Sequence, residues 1–120
     1  MDESAVVYKV DAILAEGSVQ GTIRWIQGLS DCQMIEAGDI VAMDKPDTIV
    51  VTALDRIGGL ATRTGGQTSH LACVAREMGI PYVVSTHVSS ELLGCWGELD
   101  GNRGQLSVHS PRVDQTKVDR

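Results

Sequence analysis

The sequence predicts a single β-rich mixed α/β domain, and three observations lead there. Short apolar or alternating runs are cut every few residues by Gly, Pro or Asp. One segment, 71–78, carries start and stop signals of a helix. At 120 residues and 42% hydrophobic, the chain can bury one core and is too short for two.

The elements follow in order. Residues 1–7 and 109–120 read as polar or charged ends expected to fray. Val19 to Ile26 alternates apolar and polar side chains, the pattern of a half-buried strand. Gly28 to Ser30 reads as a loop, and Ile40-Val41-Ala42 as a short strand after the Glu36–Asp39 turn. Asp44-Lys45-Pro46-Asp47 is a strong break. The next stretch, 48–57, is open between two states: its β-branched residues favour a strand, whereas the Pro-Asp opening and Ile49, Ala53 and Ile57 at i, i+4, i+8 favour a helix. Gly58-Gly59 then reads as its end and Leu60-Ala61-Thr62 as a short strand. Leu71 to Met78 is rich in helix formers, with Thr68 or Ser69 as cap, Gly79 at the left-handed stop and Pro81 beyond it. Tyr82-Val83-Val84 is a compact strand. Residues 96–108 read as a hairpin around Asp100-Gly101-Asn102-Arg103-Gly104, with Asp100 fixing the turn.

Composition excludes several roles. Ten basic against sixteen acidic residues give −6, a poor match for nucleic acid or an anionic membrane. Four aromatic residues and no Phe leave no platform for stacking bases. No run reaches the ~18–20 apolar residues of a membrane span, and the acidic Met1-Asp2-Glu3 start lacks a signal peptide's basic region. Cys32, Cys73 and Cys95 are widely spaced, which fits a reducing cytoplasmic setting and three small buried or half-buried side chains rather than ligands. No Cys/His or carboxylate cluster has metal-site spacing, so no metal is expected on this chain. The charge is uneven: six carboxylates lie between Gln27 and Asp55, whereas Arg56, Arg63 and Arg76 fall in a carboxylate-free stretch. That stretch is suited to a small anion. Trp25 and Trp96 read as core or edge packing, and His87 and His109 as surface residues.

The chemistry-bearing string is Thr64-Gly65-Gly66-Gln67-Thr68-Ser69-His70. Paired glycines let a backbone approach a ligand closely, and the free N–H groups of a helix start favour an anion. Thr68 and Ser69 add hydroxyl groups, Arg63 lies just upstream, and His70 falls in the first helical turn. A neutral imidazole is a nucleophile near pH 7 and can take a phosphoryl group, which Arg or Lys cannot carry in this way. The string is neither a P-loop nor a dinucleotide fingerprint, and Ser69-His70 is not a hydrolase dyad.

Residues 65–84, GGQTSHLACVAREMGIPYVV, resemble the signature of the phosphohistidine domain of phosphoenolpyruvate-utilising enzymes, which include pyruvate phosphate dikinase, phosphoenolpyruvate synthase, Enzyme I and rifampin phosphotransferase. The resemblance extends more weakly through Gly17, Gly21, Ala37–Val41, Pro46, Gly59 and the closing Asp100-Gly101 with Gly104, covering about residues 14–108. Leu71 and Cys73 depart mildly from the usual Ala and Ile. The resemblance implies a swivelling β/β/α phosphohistidine domain, with 47–57 helical. It implies that His70 is phosphorylated, at Nε2 by the family's habit, with Thr68 touching the imidazole or phosphate. It also implies that Gly65 and Gly66 form the backbone cradle; from the residues themselves, Ser69 and Arg63 are expected as further phosphate contacts, with Arg56 or Arg63 assisting an incoming phosphate. Arg76 and Glu77 read as structural.

The implied role is a phosphoryl carrier between an ATP-grasp-like nucleotide domain and a phosphoenolpyruvate- or pyruvate-binding domain, supplied by partners that also hold Mg2+. At 120 residues the chain has no room for those sites. It is either a stand-alone subunit or one domain of a longer protein, and the initial Met1 favours the subunit. Two rivals are a silent regulatory module of the same fold and a non-covalent anion-binding domain.

Overall fold

The computed structural model describes residues 5–67 and 69–109. Eight strands form one sheet: β1 Val6–Lys9, β2 Ala12–Ala15, β3 Ser18–Trp25, β4 Asp39–Met43, β5 Ile57–Thr62, β6 Tyr82–Val84, β7 Trp96–Asp100 and β8 Gln105–His109. Helix α1 spans Leu29–Cys32 and α2 spans His70–Met78; short 3-10 helices cover Thr48–Ala53 and Ser90–Leu92. The strand order is β1-β8-β7-β3-β4-β5-β6-β2. Strands β3 to β6 run parallel, while β1, β8 and β7 lead antiparallel into β3 and β2 pairs antiparallel with β6.

Strand β3 changes partner along its length. Ser18 to Thr22 pair with β7, and Ile23 to Trp25 pair with β4. This hinge lets the sheet fold over on itself and makes three layers. On one face of the parallel strands, Val41, Met43, Leu60, Tyr82 and Val84 pack against Leu71, Ala72 and Ala75 of α2. On the other, Ile40, Ala42, Ala61 and Val83 pack against Leu99, Leu106 and Val108 of the antiparallel hairpin. Parallel strands covered on both faces read as continuous apolar runs, which is why 40–42 and 82–84 were legible as strands. The result is the β/β/α arrangement.

Several expectations are met. Helix α2 is capped by Ser69, whose Oγ accepts from the Ala72 amide at 3.1 Å, and it stops at Gly79 with φ 73°. The hairpin turn is held by Asp100 Oδ1, which accepts from the Asn102 and Arg103 amides, each at 3.0 Å.

Others are corrected. Val6 and Val7, expected to fray, and His109 are strand residues, with β1 paired to β8; residues 1–4 and 110–120 lie outside the described residues. Strand β2 was not foreseen. Residues 28–30 are not a plain loop: Gly28 caps α1, and Asp31 Oδ2 reaches back to the Gln27 and Gly28 amides at 2.8 and 3.2 Å. The 47–57 segment is helical only from Thr48 to Ala53, as a 3-10 turn capped by Asp47, and Ile57 already belongs to β5. The run of β-branched residues lowers the propensity for a long α-helix, and the segment forms only this short 3-10 turn. Gly58 and Gly59 do not end an element but lie inside β5, where layers approach closely. A Cβ at Gly58 would stand 2.6 Å from the Gly38 carbonyl oxygen, and one at Gly59 2.7 Å from Val19 Cγ1. Cys73 is exposed on α2 rather than buried, unlike Cys32 and Cys95. Trp96 is also exposed, at 45%. Among the described residues no helix is long and apolar enough to cross a membrane.

Candidate functional site

Strand β5, the following turn, α2 and β6 form a βαβ unit between adjacent parallel strands. The turn therefore lies at the carboxyl edge of the parallel sheet, where open α/β sheets bind ligands. Chain direction and hydrogen bonds both fix its shape. The Arg63 and Thr64 amides donate to the Met43 and Asp44 carbonyls at 3.1 and 3.2 Å, extending the pairing of β5 and β4 beyond the strand ends. The Ser69 amide then donates to the Gly66 carbonyl at 3.1 Å, closing the turn into α2.

The two glycines play different parts. Gly65 has φ 153°, and a Cβ there would meet Tyr82 Oη at 3.1 Å, Pro46 Cγ at 3.2 Å and Thr62 Oγ1 at 3.3 Å. No side chain fits. Among the described residues, nothing beyond its chain neighbours lies within 4 Å of a Cβ built at Gly66, so that side of the turn is open. His70 is exposed and is the first residue of α2. The first amides of a helix have no intrahelical acceptor. Ser69 serves two of the early ones: its Oγ takes Ala72, and its carbonyl takes Cys73 at 3.1 Å. The amides of His70 and Leu71 precede these and stand at the positive end of the helix. The pieces for holding an anion beside an accessible imidazole are thus adjacent: an open glycine backbone, a helix start and His70.

The arginines are engaged elsewhere. Arg63 Nε donates to Asp44 Oδ1 at 2.6 Å, with Nη2 on the same oxygen. Arg56 donates to the carbonyls of Ile35 and Cys32 at 3.0 and 3.2 Å and braces α1. Arg76 joins the Leu14 carbonyl of β2 at 3.0 Å to the Gln67 carbonyl of the turn at 2.9 Å, with Cys73 Sγ 3.4 Å away. Arg76 is structural, as its position along the helix suggests. Thr68, expected to touch the imidazole or phosphate, lies outside the described residues. Among the described residues no group of three or more His, Cys, Asp or Glu side chains is gathered for a metal ion.

Sequence reasoning missed the floor of the site. Thr62 and Tyr82 are fully buried beneath the turn, and Thr62 Oγ1 lies 2.6 Å from the Thr64 carbonyl and 2.8 Å from Tyr82 Oη. Burial pushes the Tyr82 phenol above its ordinary value, so the phenol keeps its proton at neutral pH. A Tyr in an otherwise aliphatic strand, three residues past the helix stop at Gly79, was the available signal.

The family described as "PEP-utilising enzyme, mobile domain" matches residues 35–104. The chain is 39% identical over 74 residues to the phosphoenolpyruvate synthase of Neisseria meningitidis serogroup B, a match covering 62% of this chain and 9% of that protein. It therefore spans only a small part of that relative's length. Among solved structures, the N-terminal domain of Enzyme 1 - Nitrogen is 30% identical with a TM-score of 0.54, covering 62% of this chain and 33% of the other. Aconitase X of Thermococcus kodakaraensis aligns at a TM-score of 0.64 over 88% of this chain and 99% of that one. At 12% identity that likeness shows the fold alone.

Proposed function

The chain belongs to the mobile-domain family of PEP-utilising enzymes, and from that membership we propose that it carries a phosphoryl group on His70 between partner active sites. The observation that carries the reading is the placement of His70. It opens α2 in solvent, directly after a glycine turn at the carboxyl edge of the parallel strands.

The proposed reaction has two displacements. A neutral imidazole nitrogen of His70 attacks the donor phosphorus in line; the nitrogen–phosphorus bond forms as the bond to the leaving group breaks, and the leaving group departs with the electron pair. The acceptor then attacks the phosphohistidine, and the nitrogen–phosphorus bond breaks to restore the imidazole. Between the steps, the Gly65–Gly66 backbone and the start of α2 hold the phosphoryl oxygens. Ser69 sets this geometry as the helix cap. Its hydroxyl proton remains available to a phosphate oxygen, because the Ala72 amide occupies only a lone pair. Thr68 is the proposed contact to the ring or phosphate. Arg63 assists by exchanging the Asp44 carboxylate for phosphoryl oxygens when a donor arrives.

The donor and acceptor sites belong to partner domains or polypeptides: a nucleotide-binding one and a phosphoenolpyruvate- or pyruvate-binding one, with Mg2+ held there. The phosphoenolpyruvate synthase similarity supports this division of labour. The test is to incubate the chain with a candidate partner, Mg2+, and ATP or phosphoenolpyruvate, and to look for acid-labile, alkali-stable phosphate. Label on the wild type and none on His70→Ala supports the proposal. No label with any donor, or equal label on His70→Ala, overturns it.

A further inference from the structure

The turn that presents His70 is fastened from below by two buried hydroxyl groups. The Thr62 hydroxyl has one proton, and the Thr64 carbonyl at 2.6 Å can only accept, so that proton is assigned there. The 2.8 Å contact between Thr62 and Tyr82 is then made by the Tyr82 proton. The chain runs in one direction: the Tyr82 phenol donates to the Thr62 hydroxyl, which donates to the Thr64 carbonyl. Both side chains are fully buried. Tyr82 Oη also lies against the place a Gly65 Cβ would occupy, at 3.1 Å. Tyr82 comes from β6 and Thr62 from β5, so the contact joins the two strands of the βαβ unit beside Gly65.

Building on the carrier reading, we infer that Tyr82 and Thr62 are positioning residues that set the glycine turn for phosphoryl acceptance by His70. Neither touches the phosphoryl group. They fix the Thr64 carbonyl and thereby the orientation of the next peptides, whose N–H groups the carrier reading assigns to the phosphoryl oxygens. The Thr62–Thr64 bond is local and could form in several turn conformations. The Tyr82 proton selects the one in which Thr62 Oγ1 must donate upward rather than accept.

Tyr82→Phe, Thr62→Val and Thr62→Ser test this in the full chain. The donor is phosphoramidate, a small compound that needs no partner protein: its phosphorus–nitrogen bond breaks as the imidazole–phosphorus bond forms, and ammonia leaves with the electron pair and a proton. Two readouts run together, the labelling rate of His70 against phosphoramidate concentration and the backbone amide NMR shifts of residues 64–67. Loss of one neutral hydrogen bond corresponds to roughly fivefold, so Tyr82→Phe and Thr62→Val are expected to label at least that much more slowly at saturation, and Thr62→Ser to stay within about twofold of wild type. The amide shifts should move at 64–67 in the first two variants and stay fixed at the far end of α2. Wild-type labelling and unmoved amides in Tyr82→Phe would overturn the inference; should that variant not fold, the same result in Thr62→Val against Thr62→Ser does so. An unlabelled wild type with displaced turn amides in the variants would instead remove the carrier reading and leave the fastening in place.

Discussion

Replacing Gly65 by Ala should unfold the site from its foundation, whereas the same change at Gly66 should not. At Gly65 the backbone has φ 153°, a region that L-residues rarely enter, and holding a side chain there costs about 1–3 kcal/mol. The new methyl group also presses on Tyr82 Oη at 3.1 Å, Pro46 Cγ at 3.2 Å and Thr62 Oγ1 at 3.3 Å. Tyr82 and Thr62 are fully buried, so relief must come from shifts in packed neighbours, at a further cost of about 1 kcal/mol or more. The lower entropy of an unfolded chain carrying Ala returns about 0.4–1 kcal/mol. The net is a loss of about 2–3 kcal/mol, or a fall in Tm of roughly 10–15 °C for a domain of this size. At Gly66, among the described residues, nothing beyond its chain neighbours lies within 4 Å of an added Cβ, and its φ is not positive. Gly66→Ala should stay within about 0.5 kcal/mol of wild type. Urea and thermal unfolding of the three proteins, read by far-UV circular dichroism, measure both changes. A Gly65→Ala protein as stable as Gly66→Ala would refute the reasoning that the turn is sterically fixed at Gly65.

Ser69→Ala removes the α2 cap and should cost about 1 kcal/mol, largely recovered in Ser69→Asp, by urea unfolding. Arg76→Met removes the link between the Leu14 and Gln67 carbonyls, and a loss of about 2 kcal/mol is expected, with Arg76→Lys recovering only part because one ammonium cannot span both acceptors. Stability should also fall in alkali. Burial raises Cys32 and Cys95 above their ordinary 9.0, with Asp31 and Asp47 adding to it at Cys32, and burial raises Tyr82 above 10.0. Each neutral form is favoured by folding, so this stability is complete below those ordinary values and is lost as pH rises through the raised ones. The urea midpoint should therefore be flat through pH 7–8 and decline above about 9, and Cys32→Ala with Cys95→Ala should delay the decline.

Much of the fold could be read from local signals because those signals act locally. The Ser69 cap, the Gly79 stop and the Asp100 turn each need only a few neighbouring residues. What escaped the sequence depends on distant contacts. Strand β1 has no alternation, since Val6 and Val7 are both exposed, and it exists because β8 pairs with it. Gly58 and Gly59 look like a break until Gly38 and Val19 are seen against them. The site divides in the same way. The turn and His70 stand next to each other in the chain, but Tyr82 and Thr62 lie 20 positions apart and meet only through the pairing of β5 and β6. Arg63 also looked free for an anion, and its engagement with Asp44 follows from the neighbouring ends of β4 and β5.

The central claim is that phosphorus becomes bonded to a ring nitrogen of His70. It is tested most directly by two-dimensional 31P–15N NMR of uniformly 15N-labelled protein after phosphoryl loading. The account predicts a one-bond phosphorus–nitrogen correlation to an imidazole nitrogen that is absent in His70→Ala and disappears in acid. Phosphorus found on a hydroxyl or thiol of the same turn, or a correlation that persists in His70→Ala, would contradict it.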